Sequence, residues 1–124
     1  MIEHLSFSDA LRIMGHCNTA LRIGGVLRIV VPDLRILVND YLAGESAEKF
    51  VDRLQLRSNA SDLFHKGAHH RAMYDANYLA TVFRSAGFPS PEQKRFLESR
   101  IPDIASVEPE SRKFESLYME AVKG

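Results

Sequence analysis

An apolar run from Val26 to Val31, bracketed by Gly24-Gly25 and Pro32-Asp33, constrains this chain more than any other feature. Only Arg28 interrupts it, and the run shows no polar alternation. Such a segment suits a strand covered on both faces, as in a parallel sheet between helices. Glycine ahead of it supplies the left-handed turn that closes a helix. Pro32 cannot donate to a sheet ladder and is expected to end the strand, and Asp33 is placed to cap the next helix.

The rest of the chain reads outward from this strand. Phe7, Ala10, Leu11, Met14, Cys17 and Leu21 recur at three- and four-residue spacing, one face of an amphipathic helix with Ser6 or Ser8 as cap. A helix is expected from Leu34 to Ala43, closed by Gly44. Another starts at Ser46 and runs through Phe50, Val51 and Leu54 toward Leu56. Residues 58–72 are polar and histidine-rich and read as a loop. Asp75 caps a helix through Tyr78, Leu79, Val82 and Phe83, with Gly87 past its end. Arg95 to Glu98 reads as a short strand, Ile101 to Glu110 as irregular, and Phe114 to Val122 as a strand. In that last strand Leu117, Met119 and Ala121 share one face, and Tyr118 reads as core. The order predicts one domain over 1–124 of α/β class with an antiparallel ending.

Composition excludes several classes. Sixteen basic residues balance sixteen acidic ones, so net charge gives no attraction to nucleic acid or an anionic membrane. No apolar run approaches the roughly 20 residues of a membrane span. A single cysteine, Cys17, rules out an internal disulfide and fits a reducing compartment. Its place on the apolar helix face makes it a small buried hydrophobe. The opening Met-Ile-Glu-His has no signal-peptide character. The expectation is a cytoplasmic domain.

Three segments, in order and spacing, carry a resemblance. The first is Glu3-His4-Leu5, then a helix, Gly24-Gly25 and the strand ending Val31-Pro32-Asp33. The second is His70-Arg71-Ala72-Met73-Tyr74-Asp75 with Ser85-Ala86-Gly87-Phe88. The third is Ser99-Arg100-Ile101-Pro102-Asp103 with Glu115-Ser116-Leu117-Tyr118-Met119-Glu120-Ala121. Together they resemble the C-terminal half of a class I, Rossmann-like S-adenosylmethionine-dependent methyltransferase of a bacterial branch. The resemblance implies a partial sheet holding the fifth, sixth and seventh strands. In it the fifth strand is flanked by the fourth and the seventh. It also implies methyl transfer to a small-molecule acceptor, with S-adenosylmethionine as cofactor. The glycine-rich cofactor loop would precede Glu3 and is not in this sequence, so the chain is not expected to be active alone. The alternative is a non-catalytic interaction module.

The resemblance also nominates site residues. His4 would lie near cofactor or acceptor, though it sits where a chain end frays. Asp33 stands at a strand's carboxyl end, where open α/β sheets bind ligands, and it could equally cap a helix. His70 and Tyr74 would orient an acceptor or tie their loop to the sheet edge. His65, His69 and His70 with Asp62 and Asp75 invite a metal reading. Gly67 weakens a helix there and no second ligand pair completes a set, so no metal is expected. Without a fourth strand, one edge of Val26–Val31 would be unpaired, which predicts a homodimer or a separate N-terminal half as partner.

Overall fold

The computed structural model describes residues 2–54, 71–108 and 114–124. A 3-10 turn, Ile2–His4, leads into α1 (Phe7–Ala20), capped by Ser6, whose side chain accepts from the Asp9 N–H. Strand β1 spans Val26–Pro32. Helices α2 (Leu34–Leu42) and α3 (Ala47–Leu54) come next. After them stand α4 (Ala76–Ser85), β2 (Glu92–Lys94), a 3-10 turn at Ile104–Ser106, and β3 (Ser116–Val122). The class is mixed α/β, as expected.

The described sheet has three strands in the order β1-β3-β2, and β3 runs antiparallel to both neighbours. The last strand of the chain therefore lies between the other two. Arg28 faces Glu120 and Val30 faces Tyr118 in the β1–β3 register. Side chains alternate across a strand. Leu27, Ile29 and Val31 thus join Leu117, Met119 and Ala121 against the helices, where Met14, Leu79, Val82, Phe83 and Phe88 complete the core. Helix α4 packs on β3 and α1 packs on α4. Helix α3 lies against α2 through the Tyr41 and Phe50 rings, 4.9 Å apart, and through Arg53, which bonds Asp40 at 2.8 Å and Glu45 at 2.7 Å.

Four sequence expectations need correcting, one of them only in its reason. The apolar run is not a doubly covered strand of a parallel sheet: its described neighbour is antiparallel, and Val30 is 37% exposed. Pro32 is the last residue of the strand, as expected, but not because it breaks the ladder to β3. The Asp33 N–H donates to the Glu115 carbonyl and the Lys123 N–H to the Gly25 carbonyl, so odd-numbered residues of β1 bond β3. Proline at an even position gives up no ladder bond. The short strand lies at Glu92–Lys94, not at Arg95–Glu98. There the chain turns, with Leu97 at φ 61° and the Arg95 N–H donating to the Glu98 carboxylate. Cys17 is half-buried instead of buried. Leu56 and most of the histidine-rich loop lie outside the described residues.

Candidate functional site

The carboxyl end of β1 brings two of the nominated residues together. Asp33 and Tyr74 form an isolated parallel bridge, in which the Leu34 N–H donates to the Tyr74 carbonyl at 2.9 Å. Upstream in the same segment, the Arg71 and Ala72 N–H groups donate to the Glu3 carbonyl at 2.7 and 3.2 Å. Residues 71–74 thereby tie the N-terminal turn bearing His4 to the end of β1. His4 Nε2 lies 3.6 Å from Glu3 Oε1. His70 lies outside the described residues, as do His65, His69 and Asp62. Among the described residues no cluster of histidine, cysteine or acidic groups is arranged to hold a metal ion.

Asp33 is buried, and its carboxylate caps α2 by accepting the Arg35 N–H at 3.0 Å. Burial pushes its carboxyl above the ordinary range, and neighbouring Asp75 adds to this, against the capping bond from Arg35. Asp75 caps α4 in the same way, accepting the Tyr78 N–H at 2.8 Å. Both reactive-looking aspartates at this strand end are thus engaged as helix caps, each satisfying a backbone donor that the helix itself cannot.

Tyr74 is fully buried, and its hydroxyl has no hydrogen-bond partner among the described residues. Burial foremost, with Tyr78 and Glu3 nearby, pushes its phenol up to about 12. At neutral pH the group is a donor and not a base. Its ring stacks on Tyr78 at 5.0 Å, and Tyr78 stacks on Phe7 at 6.2 Å, so three rings run from the core to the partly exposed Phe7. A buried hydroxyl without a partner costs about 1–3 kcal/mol. Packing in the apolar core accounts for the ring but not for the hydroxyl.

A second cluster has no counterpart among the sequence expectations. On the sheet face away from the helices, Arg28 bonds Glu108 through Nε and Nη2, Glu120 through Nη1 at 3.0 Å, and the Glu98 and Arg95 carbonyls at 2.7 and 3.1 Å. Glu120 also accepts from Ser99 Oγ and from the Arg100 N–H, and Glu108 accepts the Leu97 N–H at 3.0 Å. The Arg28 guanidinium lies 5.1 Å from the centre of the Tyr118 ring. Tyr118 is buried, as expected, but on this outer face and not in the apolar core. Burial works against the ionised form of Glu120, yet its bonds from Ser99, Arg100 and Arg28 hold the carboxyl below the ordinary range. Two signals were present in the sequence: the charge interrupting an apolar strand, and an acid inside the strand that pairs with it.

Beside this cluster a cleft of about 390 Å³ runs along β1, lined by Val26, Leu27, Arg28 and Val30 on one side and Ile101, Ile104, Val107 and Glu108 on the other. None of His4, Asp33 and Tyr74 lines it. Among the described residues no helix is long and apolar enough to cross a membrane. Compared with known proteins, the chain matches no family model, no curated protein and no solved structure.

Proposed function

We propose that the chain is a C-terminal methyltransferase-like half-sheet that carries one edge of a methyl-transfer site for a small-molecule acceptor. One observation carries the reading: β3, the segment that resembles a seventh strand, pairs antiparallel along the whole of β1, the segment that resembles a fifth. The meeting of Asp33 and Tyr74 at the carboxyl end of β1 supports it, since open α/β sheets bind ligands there.

Methyl transfer from a sulfonium asks a protein mainly for alignment and exclusion of water. Tyr74 offers a dry, neutral donor that could orient an acceptor oxygen or nitrogen. Asp33, held as a cap and raised by burial, positions the strand end and is not a free base. His4, on the turn tied to this end, and His70 remain candidates for the acceptor side.

The described residues do not fit S-adenosylmethionine by themselves. The Gly24-Gly25 pair lies at the opposite end of β1, and both N–H groups are taken, by the Lys123 and Arg22 carbonyls at 2.8 Å each. They present nothing to a cofactor, and a single strand end supplies too few contacts for a ligand of that size. The test is calorimetric titration of the purified chain with S-adenosylhomocysteine, alone and with a separately expressed, glycine-rich cofactor-binding half supplied in trans. The expected result is binding only in the second case. Micromolar binding by the chain alone would overturn the account of its cofactor side, and no binding in either case would overturn the methyltransferase reading.

A second reading, a non-catalytic interaction module, is favoured by a different observation: among the described residues β1 is an edge strand, and an apolar one.

A further inference from the structure

The two edges of the sheet are built differently. Strand β2 has three residues, Glu92, Gln93 and Lys94, and its charged side chains pair with one another and with Arg100. Short, charged edges discourage pairing with other chains. Strand β1 has seven residues, apolar except for Arg28. Because its odd positions bond β3, the N–H and C=O groups of Val26, Arg28 and Val30 point to the outer edge. Just beyond the strand, Tyr74 takes over this same edge through its bond from Leu34. The stretch that no described backbone pairs is therefore bounded at Pro32, the residue that has no N–H to offer.

We infer that this edge pairs antiparallel with β1 of a second copy of the chain, about a two-fold axis at Arg28. This register sets Arg28 against the partner's Arg28, and Val26 against the partner's Val30. It is the symmetric register that satisfies every N–H and C=O of Val26, Arg28 and Val30 in both copies. Residues opposite one another across a ladder project to the same face. The partner's Val26 and the partner's Val30 therefore enter the cleft that Val26, Val30, Ile101, Ile104 and Val107 line, where Val107 is 71% exposed in the single chain. The facing arginines are not bare like charges, because each guanidinium is already enclosed by its own Glu108 and Glu120. The product is a continuous sheet in the order β2-β3-β1-β1-β3-β2 with charged strands at both ends. The inference deepens the interaction-module reading and does not depend on methyl transfer.

Sedimentation equilibrium of the purified chain, from low to high micromolar, tests it alongside three variants. Val30→Pro removes an outer-edge donor and leaves the β3 ladder intact. Val30→Lys keeps every N–H but sets an ammonium group where the partner's Val26 would pack. Gln93→Lys, on the charged edge, is the control. Circular dichroism verifies folding, and Val30→Lys decides the matter should Val30→Pro unfold. The expected result is a dimer for the native chain and the control, with association at least about tenfold weaker in both Val30 variants. A native chain that stays monomeric would overturn self-pairing, while leaving the edge open to a different chain. A dimer that neither Val30 variant weakens would overturn the edge as its interface.

Discussion

Arg28 and Glu120 stand opposite each other across the β1–β3 ladder, 92 residues apart in sequence, and their side chains meet at 3.0 Å with almost no solvent exposure. The pair does more than join two strands. Through Glu108, Ser99 and the carbonyls of Arg95 and Glu98, it clips the segment from Arg95 to Glu108 over the outer face of the sheet. A buried ion pair returns its desolvation cost only when each remaining donor and acceptor is also engaged, and here they are.

Removing one partner should therefore cost far more than a surface pair would. Glu120→Ala is expected to lose about 3–5 kcal/mol of stability, because it leaves Arg28 short of a carboxylate and strands Ser99 and the Arg100 N–H. Arg12→Ala, which breaks an exposed pair with Asp9, should cost under about 1 kcal/mol. Urea denaturation of the two variants checks the contrast.

The same cluster sets a pH dependence. The Glu120 carboxyl is held below its ordinary 4.5 in the folded chain. Its stabilising contribution is complete above that value and is lost as pH falls through the depressed folded one. Acid should loosen the clip before the helix-side core, where Leu79, Val82, Phe83 and Leu117 pack without charge. Hydrogen exchange of the Leu97 and Arg100 amides, traced downward from pH 5, is expected to show protection lost there first. Protection that persists in step with the core would contradict this.

Tyr74 yields a prediction of the opposite sign. Its buried hydroxyl has no partner among the described residues, so Tyr74→Phe should leave stability unchanged or raise it by about 1 kcal/mol. In the native chain the folded phenol sits at about 12 against an ordinary 10. Its contribution is intact below pH 10 and is lost as pH rises from there toward 12. The variant should lack that alkaline loss, as thermal melts across this range would reveal.

Asp33 separates two roles by a pair of substitutions. Asp33→Ala removes the α2 cap and should cost about 1 kcal/mol. Asp33→Asn keeps an acceptor and removes a charge whose burial raises its pKa, so it should be neutral or slightly stabilising at pH 7. Thermal melts of both variants make the comparison. If the asparagine proved as damaging as the alanine, the ionised carboxylate would be needed for more than capping.

Gly87 closes α4 at φ 97°, and an added Cβ would fall 2.7 Å from Nδ2 of Asn18, which itself bonds the Ala86 carbonyl. Gly87→Ala is expected to cost about 1–3 kcal/mol through backbone strain and the displaced amide. Gly15→Ala, where the new methyl meets no atom within 4 Å, should be neutral or stabilising. Urea midpoints of the two variants measure the difference.

The helices were legible because their signals are local. Ser6, Asp33 and Asp75 announce their N-termini, and apolar spacing gives the buried face of α1. The long strands were legible from β-branched composition, although Pro32 looked like a break until the ladder parity showed which side it faces. What was not legible depends on pairing. Glu92–Lys94 is a strand only because β3 accepts it as a neighbour, since its own residues favour a surface turn. At the candidate site, Asp33 and Tyr74 were nominated separately, and nothing local says that they bridge. The Arg28 cluster needed the register before Glu120 could be recognised as its counterpart.

The placement of β3 has a consequence for how this protein comes into being. The central strand of the described sheet is synthesised after both of its neighbours, and β1 emerges some 92 residues ahead of the partner it needs. At ribosomal speed that delay is on the order of 5 to 20 s, during which an apolar strand lacks its described neighbour. Helix α1 can form meanwhile, but the described sheet cannot assemble until β3 has emerged. Any nascent chain that stops short of Ser116 leaves Val26–Val31 without β3, so such fragments should aggregate and not form a smaller fold. Arrival of β3 covers one edge of β1 and leaves the outer one, which no described strand pairs, still to be protected.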